Sequence, residues 1–265
     1  KDLAEKIAEE WEAQSEHINP SVMPITRLVN VAVEQTPSRR FDLVAEARRY
    51  AETDLVCYRA PEPRILKERQ AEAWDQWVDW AANFGLKFET TETLHAIEQP
   101  SASLATVERF AETLNDFQLT LFVHLIAVYG SVVLAKAVMK GALSAEDAFD
   151  VSRVDAIYQI ELWGEDEEQA EITATLREET ISLGSTLKAL TLPNLELSRN
   201  VQAGNIRWMS KTVVISFMLM SRFLMAVPIW GHLLLNIYVP HWAAAQRLRC
   251  GCMPIARTGK LRIFL

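Results

Sequence analysis

The sequence predicts a mainly α-helical protein whose domain is arranged around one buried helix at residues 117–139. That stretch reads FQLTLFVHLIAVYGSVVLAKAVM and has no acidic or basic side chain from Phe117 to Ala135. It is apolar nearly all the way round, as buried helices are. Segments with apolar residues at helical spacing flank it, whereas segments with the polar–apolar alternation of strands are scarce. A membrane span is the alternative, but polar residues interrupt the stretch, so we predict the central helix of a globular domain.

The charge is divided unevenly along the 265 residues, whose net charge is −8. Residues 1–191 hold 18 Lys and Arg against 34 Asp and Glu, a balance of −16, whereas residues 192–265 hold 9 bases and one acid. This break predicts two regions, a helical domain at 1–191 and a basic, hydrophobic tail at 192–265. The acidic domain repels phosphates, which argues against nucleic acid as a partner and suits a basic protein.

Three helices are expected in the first fifth of the chain, each with an apolar face. Leu3, Ile7 and Trp11 form the apolar stripe of the first helix. Pro24 suits the first turn of the second, and Thr36-Pro37-Ser38 is expected to be a turn before the third. The predicted helices cover about residues 2–16, 24–33 and 39–52.

A long helix is predicted at about 63–83, after a turn or extended connection at Thr53–Pro61. It carries Trp74, Trp77 and Trp80, which at a spacing of three cover one side of the helix. These rings either fill the core or serve as contacts for a partner protein, where tryptophan is enriched.

The later elements are expected to be mostly helical as well. Residues 87–90 are predicted to form a short strand, and Asp116 is expected to cap the central helix. Gly141 is expected to end it, and Ser144 and Asp147 suit the start of the next helix. The predicted helices cover about residues 102–114, 117–139, 144–163 and 165–190.

The tail contains an apolar segment at 212–239 that has the length and hydropathy of a membrane helix. Arg222 near its middle and Pro228 both disfavour insertion. The alternative is a non-native extension read from an unrelated frame, because the tail has almost no acid and many Arg, Trp and Cys residues. A hydrophobic helix that binds a partner is a third reading.

The residues show no catalytic constellation. Phosphate-loop, nucleophile-elbow and zinc-protease motifs are all missing from the sequence, so the protein is not expected to be an enzyme. Three cysteines form neither a disulfide framework nor a zinc site, which favours a reducing compartment, and Cys57 reads as inert packing. His124 is expected to be a hydrogen-bonded core residue. The acidic run Glu165–Glu168 could bind a cation or form a solvated helix start.

Seven phrases together resemble one family, the Atp-twelve (ATP12) chaperones, which assist assembly of the catalytic head of F-type ATP synthase. Each phrase is weak alone, but their common order and spacing are specific. The resemblance covers about residues 1–191 and ends where the charge balance reverses. The phrases are LAEKIAEEWEAQ at 3–14, MPITRLVN at 23–30, TDLVCYRA at 53–60, ERQAEAWDQWVDW at 68–80, EQP at 98–100, the Gly130-Ser131 helix, and YQIELWGE at 158–165.

The resemblance implies an assembly chaperone that binds the free α subunit of the ATP synthase head and shields the surface that later contacts β. It implies no ATP, no cofactor and no metal, and a location in the bacterial cytoplasm, with the mitochondrial matrix as the alternative. The residues that match the family's phrases, and are thereby candidates for binding the partner, are Trp11, Asp54, Tyr58, Arg59, Trp74, Asp75, Gln159, Trp163 and Gly164.

The sequence also departs from the family pattern. Asp155-Ala156-Ile157 stands where consecutive acids are usual, and Gln76 stands where a proline usually follows the Trp-Asp pair. The family's N-terminal β domain has no counterpart in this sequence. The rival function is a membrane-tethered helical adaptor without chaperone activity, with the tail as the part that contacts the membrane.

Overall fold

The computed structural model describes residues 2–93 and 95–187, which fold into ten α-helices without a β-strand. The predicted mainly α class is therefore confirmed. Two short 3-10 turns, at Pro20–Val22 and Leu55–Cys57, lie in the connections. The helices are α1 (Asp2–Glu12), α2 (Pro24–Glu34), α3 (Thr36–Glu52), α4 (Arg64–Ala82), α5 (Ser101–Thr113), α6 (Asp116–Tyr129), α7 (Val132–Met139), α8 (Ala145–Ser152), α9 (Val154–Trp163) and α10 (Glu167–Gly184).

The apolar stretch at 117–139 forms the core, as predicted, but it is two helices rather than one. Gly130 ends α6 with a φ of 66°, in the left-handed region that glycine adopts without strain. The Ser131 hydroxyl then accepts a hydrogen bond from the Leu134 amide at 3.1 Å and caps α7. At the other end Asn115, not Asp116, is the residue that caps α6. Every residue of α7 from Val132 to Val138 is buried.

The break between α6 and α7 is stabilised by Asp54, whose side chain is fully buried. One carboxylate oxygen accepts hydrogen bonds from the amides of Val132, at 2.7 Å, and Val133, at 3.1 Å. The other oxygen accepts from the Val56 amide at 3.2 Å. The first amides of a helix have no partner within the helix, so a carboxylate there satisfies donors that water cannot reach.

The remaining helices surround this core, and polar contacts fix where two of them begin. The Glu10 carboxylate on α1 accepts the Ile25 amide at 2.7 Å and the Thr26 amide at 2.8 Å, which caps α2 from outside. The predicted turn at Thr36–Ser38 is wrong, because α3 begins at Thr36. Thr36 is buried and its hydroxyl lies 2.6 Å from that of Thr120 on α6, while the proline that follows suits a first helical turn.

The helix predicted for 144–163 is also divided, into α8 and α9. The break lies at Arg153, whose guanidinium stacks 4.7 Å from the Phe149 ring centre and donates to the Val128 carbonyl at 3.2 Å. These contacts join the α8–α9 junction to the end of α6. The result is a change of direction that lets α9 pack against α4.

The strand predicted at 87–90 is replaced by an extended segment with one isolated bridge, between Tyr58 and Thr91. The Arg59 amide donates to the Thr91 carbonyl at 2.8 Å, and the Thr91 amide donates to the Cys57 carbonyl at 2.8 Å. The Gln99 side chain pairs with both backbone groups of Glu89, each at 2.9 Å. The Gln99 side chain thus takes the backbone groups of Glu89 that a neighbouring strand would otherwise pair with, and this segment forms no β-ladder.

No helix in residues 2–93 or 95–187 combines the length and apolarity that crossing a membrane requires. The domain boundary at 191 and the candidate membrane helix at 212–239 lie outside the described residues and stay predictions.

The environment of Asp54 predicts a specific pH dependence of stability. Burial raises the pKa of Asp54 from 3.8 to about 6, although hydrogen bonds from Ser131 and the backbone oppose that change. The folded chain therefore keeps a proton that the unfolded chain releases, and this site's contribution to stability falls as pH rises from about 4 to 6. Asp54→Asn removes the titration, so its unfolding free energy relative to wild type should rise by up to about 3 kcal/mol across that range.

Urea unfolding of both full-length chains at several pH values between 4 and 7 measures this difference. Asp79→Asn, at an exposed position of α4, is the matched control and should show a difference that is nearly constant with pH. A constant difference for Asp54→Asn as well would contradict the expected titration.

Candidate functional site

The structure brings most of the candidate residues to one region, where α4, α9 and the connection before α4 meet. Tyr58 and Arg59 lie in the connection, and Trp74 and Asp75 lie on α4. Gln159, Trp163 and Gly164 lie on α9 or at its end. Three of the seven family phrases, at 53–60, 68–80 and 158–165, therefore meet in one region although they are far apart in sequence.

Arg59 links the connection to α4 through three contacts. Its guanidinium donates to the Gln70 carbonyl at 2.7 Å, pairs with the Asp75 carboxylate at 2.9 Å, and lies 5.2 Å from the centre of the Trp74 ring system. Burial lowers the pKa of Arg59, and the Asp75 carboxylate beside it acts in the opposite direction. A planar cation suits this position because it can stack on an aromatic ring and donate in its own plane at the same time.

Trp74 is a structural residue in this region, with no exposed surface. Its indole nitrogen donates to the Val151 carbonyl on α8 at 2.8 Å, so the ring joins α4 to α8 and has no face left for a partner. The other two tryptophans of α4, Trp77 and Trp80, are half-buried, with ring centres 6.3 Å apart. The tryptophan face of α4 is thus partly core and partly accessible.

Gln70 is the residue that the sequence analysis missed. It is buried, and its side-chain oxygen accepts the Ala60 amide at 2.7 Å while its side-chain nitrogen donates to the Asp155 carboxylate at 2.5 Å. One glutamine therefore joins the connection, α4 and α9. A sequence signal existed: Gln70 precedes Trp74 by one helical turn and shares its buried face, where a polar side chain needs partners.

Helix α9 is the most exposed part of the region and has no fully buried residue. Two polar contacts attach it to α4. They are the bond between Gln70 and Asp155 and an ion pair of 2.7 Å between Arg69 and Glu161. Large apolar side chains on α9 are left in solvent, and Trp163 is 75% exposed. The exposed apolar residues of α9 are Ile157, Ile160, Leu162 and Trp163.

A groove of about 230 Å³ lies between α4 and α9. Its floor is mostly apolar, and Ile157 forms part of its wall. A volume of this size suits one or two side chains of a protein partner and is small for a cofactor. The lining residues are Arg69, Glu72, Ala73, Val154 and Ile157.

Two candidate residues lie away from the exposed part of the region. Asp54 is buried beneath the start of α7, so its role in this structure is to hold the connection that carries Arg59. Trp11 is half-buried on α1, which packs against α2.

Gly164 takes a φ of 87° after the last residue of α9, and this conformation turns the chain toward α10.

Within residues 2–93 and 95–187, no group of three or more His, Cys, Asp or Glu side chains is placed to hold a metal. The Cys57 thiol is buried and its pKa is raised by burial, which suits packing and not nucleophilic attack. Burial also lowers the pKa of His124, which lies on α6 with its ring nitrogen 4.0 Å from Glu179.

Comparison with known proteins identifies the family. The sequence model of the ATP12 chaperone protein family matches residues 1–82. The crystal structure of Atp12 from Paracoccus denitrificans is 34% identical in sequence and superposes with a TM-score of 0.67, over 71% of this chain and 81% of that one. The chain belongs to the ATP12 chaperone family. The expectation drawn from the seven phrases is confirmed.

Two further proteins extend the comparison. The Atu1473 protein of Agrobacterium tumefaciens is 32% identical, with a TM-score of 0.68 and 72% of each chain covered. The mitochondrial protein atp12 of Schizosaccharomyces pombe is 24% identical over 181 residues, or 64% of this chain. This chain spans 62% of the length of that yeast relative. The relatives thus include bacterial and mitochondrial proteins.

The position of Gln70 predicts a measurable loss of stability on substitution. Gln70→Leu keeps the volume of the side chain but removes the acceptor for Ala60 and a donor to Asp155. The unfolding free energy should fall by about 2–3 kcal/mol, because the two partly buried partners each lose a hydrogen bond. Chemical denaturation of the full-length chain measures this change.

Gln76→Leu is the matched control on the same helix, because Gln76 is exposed. It should change stability by no more than about 0.5 kcal/mol. If both variants unfold at the same denaturant concentration, Gln70 does not hold α9 and the connection together.

Proposed function

We propose that this ATP12 family member is an assembly chaperone that binds the free α subunit of the F-type ATP synthase head. It would cover a surface that the α subunit later buries against β and would release it during assembly. The observation that carries the proposal is the exposed apolar side of α9, at the end of a region built from the family's own phrases. Membership of a chaperone family supports the same role.

The exposed side of α9 has the character of a protein-binding surface. Four large apolar side chains on a helix of ten residues are between 41% and 75% exposed, and such a concentration of exposed apolar residues is typical of a surface that a partner covers. Tryptophan contributes more than most residues to protein interfaces, and Trp163 is the most exposed of the four. We therefore propose that Trp163 and Gln159 of α9 and the exposed Asp75 of α4 contact the client.

The other candidate residues would support the binding surface without touching the client. Asp54, Arg59 and Trp74 hold the connection and α4 in place, and their side chains are largely or wholly buried. Tyr58 belongs to the same supports, since its hydroxyl accepts the Ile97 amide at 3.3 Å. The proposed activity is binding and release, without catalysis or a cofactor, in the bacterial cytoplasm or, alternatively, the mitochondrial matrix.

A capture experiment tests the proposal. The immobilised full-length chain is incubated separately with purified free α subunit, free β subunit and the assembled head. Selective capture of α, absent with the assembled head, is the expected result. Capture of β in preference to α, or of neither subunit, would contradict the proposed client.

Trp163→Ala locates the contact in the same assay. Loss of one exposed aromatic contact at the centre of an interface should weaken α binding by about tenfold or more, which is roughly 1.4 kcal/mol. Phe41→Ala is the control, because Phe41 is 86% exposed on α3 and lies outside the α4–α9 region. If the two substitutions weaken α binding equally, α9 is not where the client binds.

A further inference from the structure

The charge around α9 is entirely of one sign along the chain. Residues 154–176, which include α9 and the first half of α10, contain seven acidic residues and no Lys or Arg. Glu165, in the connection after α9, and Glu168, in the first turn of α10, are both exposed. This run of acids beside the apolar residues in sequence differs from the mixed charge on α2, α3 and α8, where arginines and acids form pairs, although Glu161 of α9 is itself paired with Arg69 of α4.

The apolar residues also have a regular spacing. Ile157 and Ile160 are three residues apart, and Trp163 follows three residues later, so they form a stripe along one side of α9. The stripe is about 9 Å long, or nearly two helical turns. A stripe of this length matches the apolar side of a second helix, which presents side chains at the same intervals.

One basic side chain of the domain itself already lies at this surface. Arg69 of α4 pairs with Glu161 at 2.7 Å, and its guanidinium lies 5.7 Å from the centre of the Tyr158 ring. A cation between a carboxylate and an aromatic ring gains from both contacts. Arg69 therefore shows how a basic side chain from outside can be bound beside α9.

We propose that the stripe of Ile157, Ile160 and Trp163, with Glu165 and Glu168 at its edge, binds a basic amphipathic helix of the client. The apolar side of that helix packs on the stripe, and its Lys or Arg side chains pair with the acids. The identification of the client rests on the proposed function, but the chemistry of the helix does not. Phosphate-bearing partners are disfavoured, because the acids repel nucleic acid and anionic lipid alike.

Synthetic peptides test this chemistry without the client. A labelled peptide of about five helical turns, with Leu on one side and Lys on the other, is titrated with the full-length chain by fluorescence anisotropy. A second peptide has Glu in place of Lys. The Lys peptide should bind at least about tenfold more tightly, and its affinity should fall as salt is added.

Matched double variants locate the site. Glu165→Gln with Glu168→Gln should weaken binding of the Lys peptide by about threefold to tenfold, or roughly 0.7–1.4 kcal/mol, and reduce its salt dependence. Glu9→Gln with Glu12→Gln changes the net charge equally at exposed positions of α1 and should leave the affinity nearly unchanged. Trp163→Ala should weaken both the Lys peptide and any residual binding of the Glu peptide.

Equal affinity for the two peptides, or equal losses in the two double variants, would overturn the proposal, since binding would then reflect general apolarity or net charge. Peptide binding at α9 together with failure to capture the α subunit would leave this inference standing and refute the proposed function. Capture of α by a chain that does not prefer the Lys peptide would support the proposed function and overturn this inference.

Discussion

The buried carboxylate of Asp54 determines how the core of this protein is joined to the α4–α9 region. The break at Gly130 leaves the first amides of α7 inside the core, where water is not available to satisfy them. Asp54 satisfies two of those amides, and it belongs to the connection that leads to α4. The Leu55 amide adds a hydrogen bond of 2.9 Å to the Gly130 carbonyl. The position of the connection therefore follows from the needs of a helix 78 positions later in the chain.

From that connection a series of polar contacts continues to the surface. Arg59 bonds to the backbone of Gln70, and the Gln70 side chain bonds to Asp155 at the start of α9. Helix α9 is thus held by directional contacts together with only partial burial of its apolar side chains. This arrangement has a physical consequence: much of the apolar surface of α9 stays exposed, and under the proposed function a partner covers it. Burial of the same residues against the core would have given a more stable helix with nothing to bind.

The sequence predicts some of these features and not others, for physical reasons. The mainly α class and α4 follow from local periodicity, and the burial of 117–139 follows from its lack of charge. The division at Gly130 could have been predicted, because a Gly-Ser pair suits a helix end followed by a helix cap. The roles of Asp54 and Gln70 could not, because each depends on partners more than seventy positions away. The family phrases included Asp54 and Trp74 without showing that one caps a helix and the other fills the core.

The shape of the α9 surface also bears on how tightly a chaperone of this kind can hold its client. A single helix side and a groove of about 230 Å³ are small beside a stable protein–protein interface, which buries roughly 800 Å² on each partner. Acids at the edge of such a surface increase the rate of encounter with a basic partner more than they increase affinity. Under the proposed function, fast capture with moderate affinity would let the β subunit displace the chaperone. A larger apolar surface would shield the client better but would compete with the contact that assembly has to form.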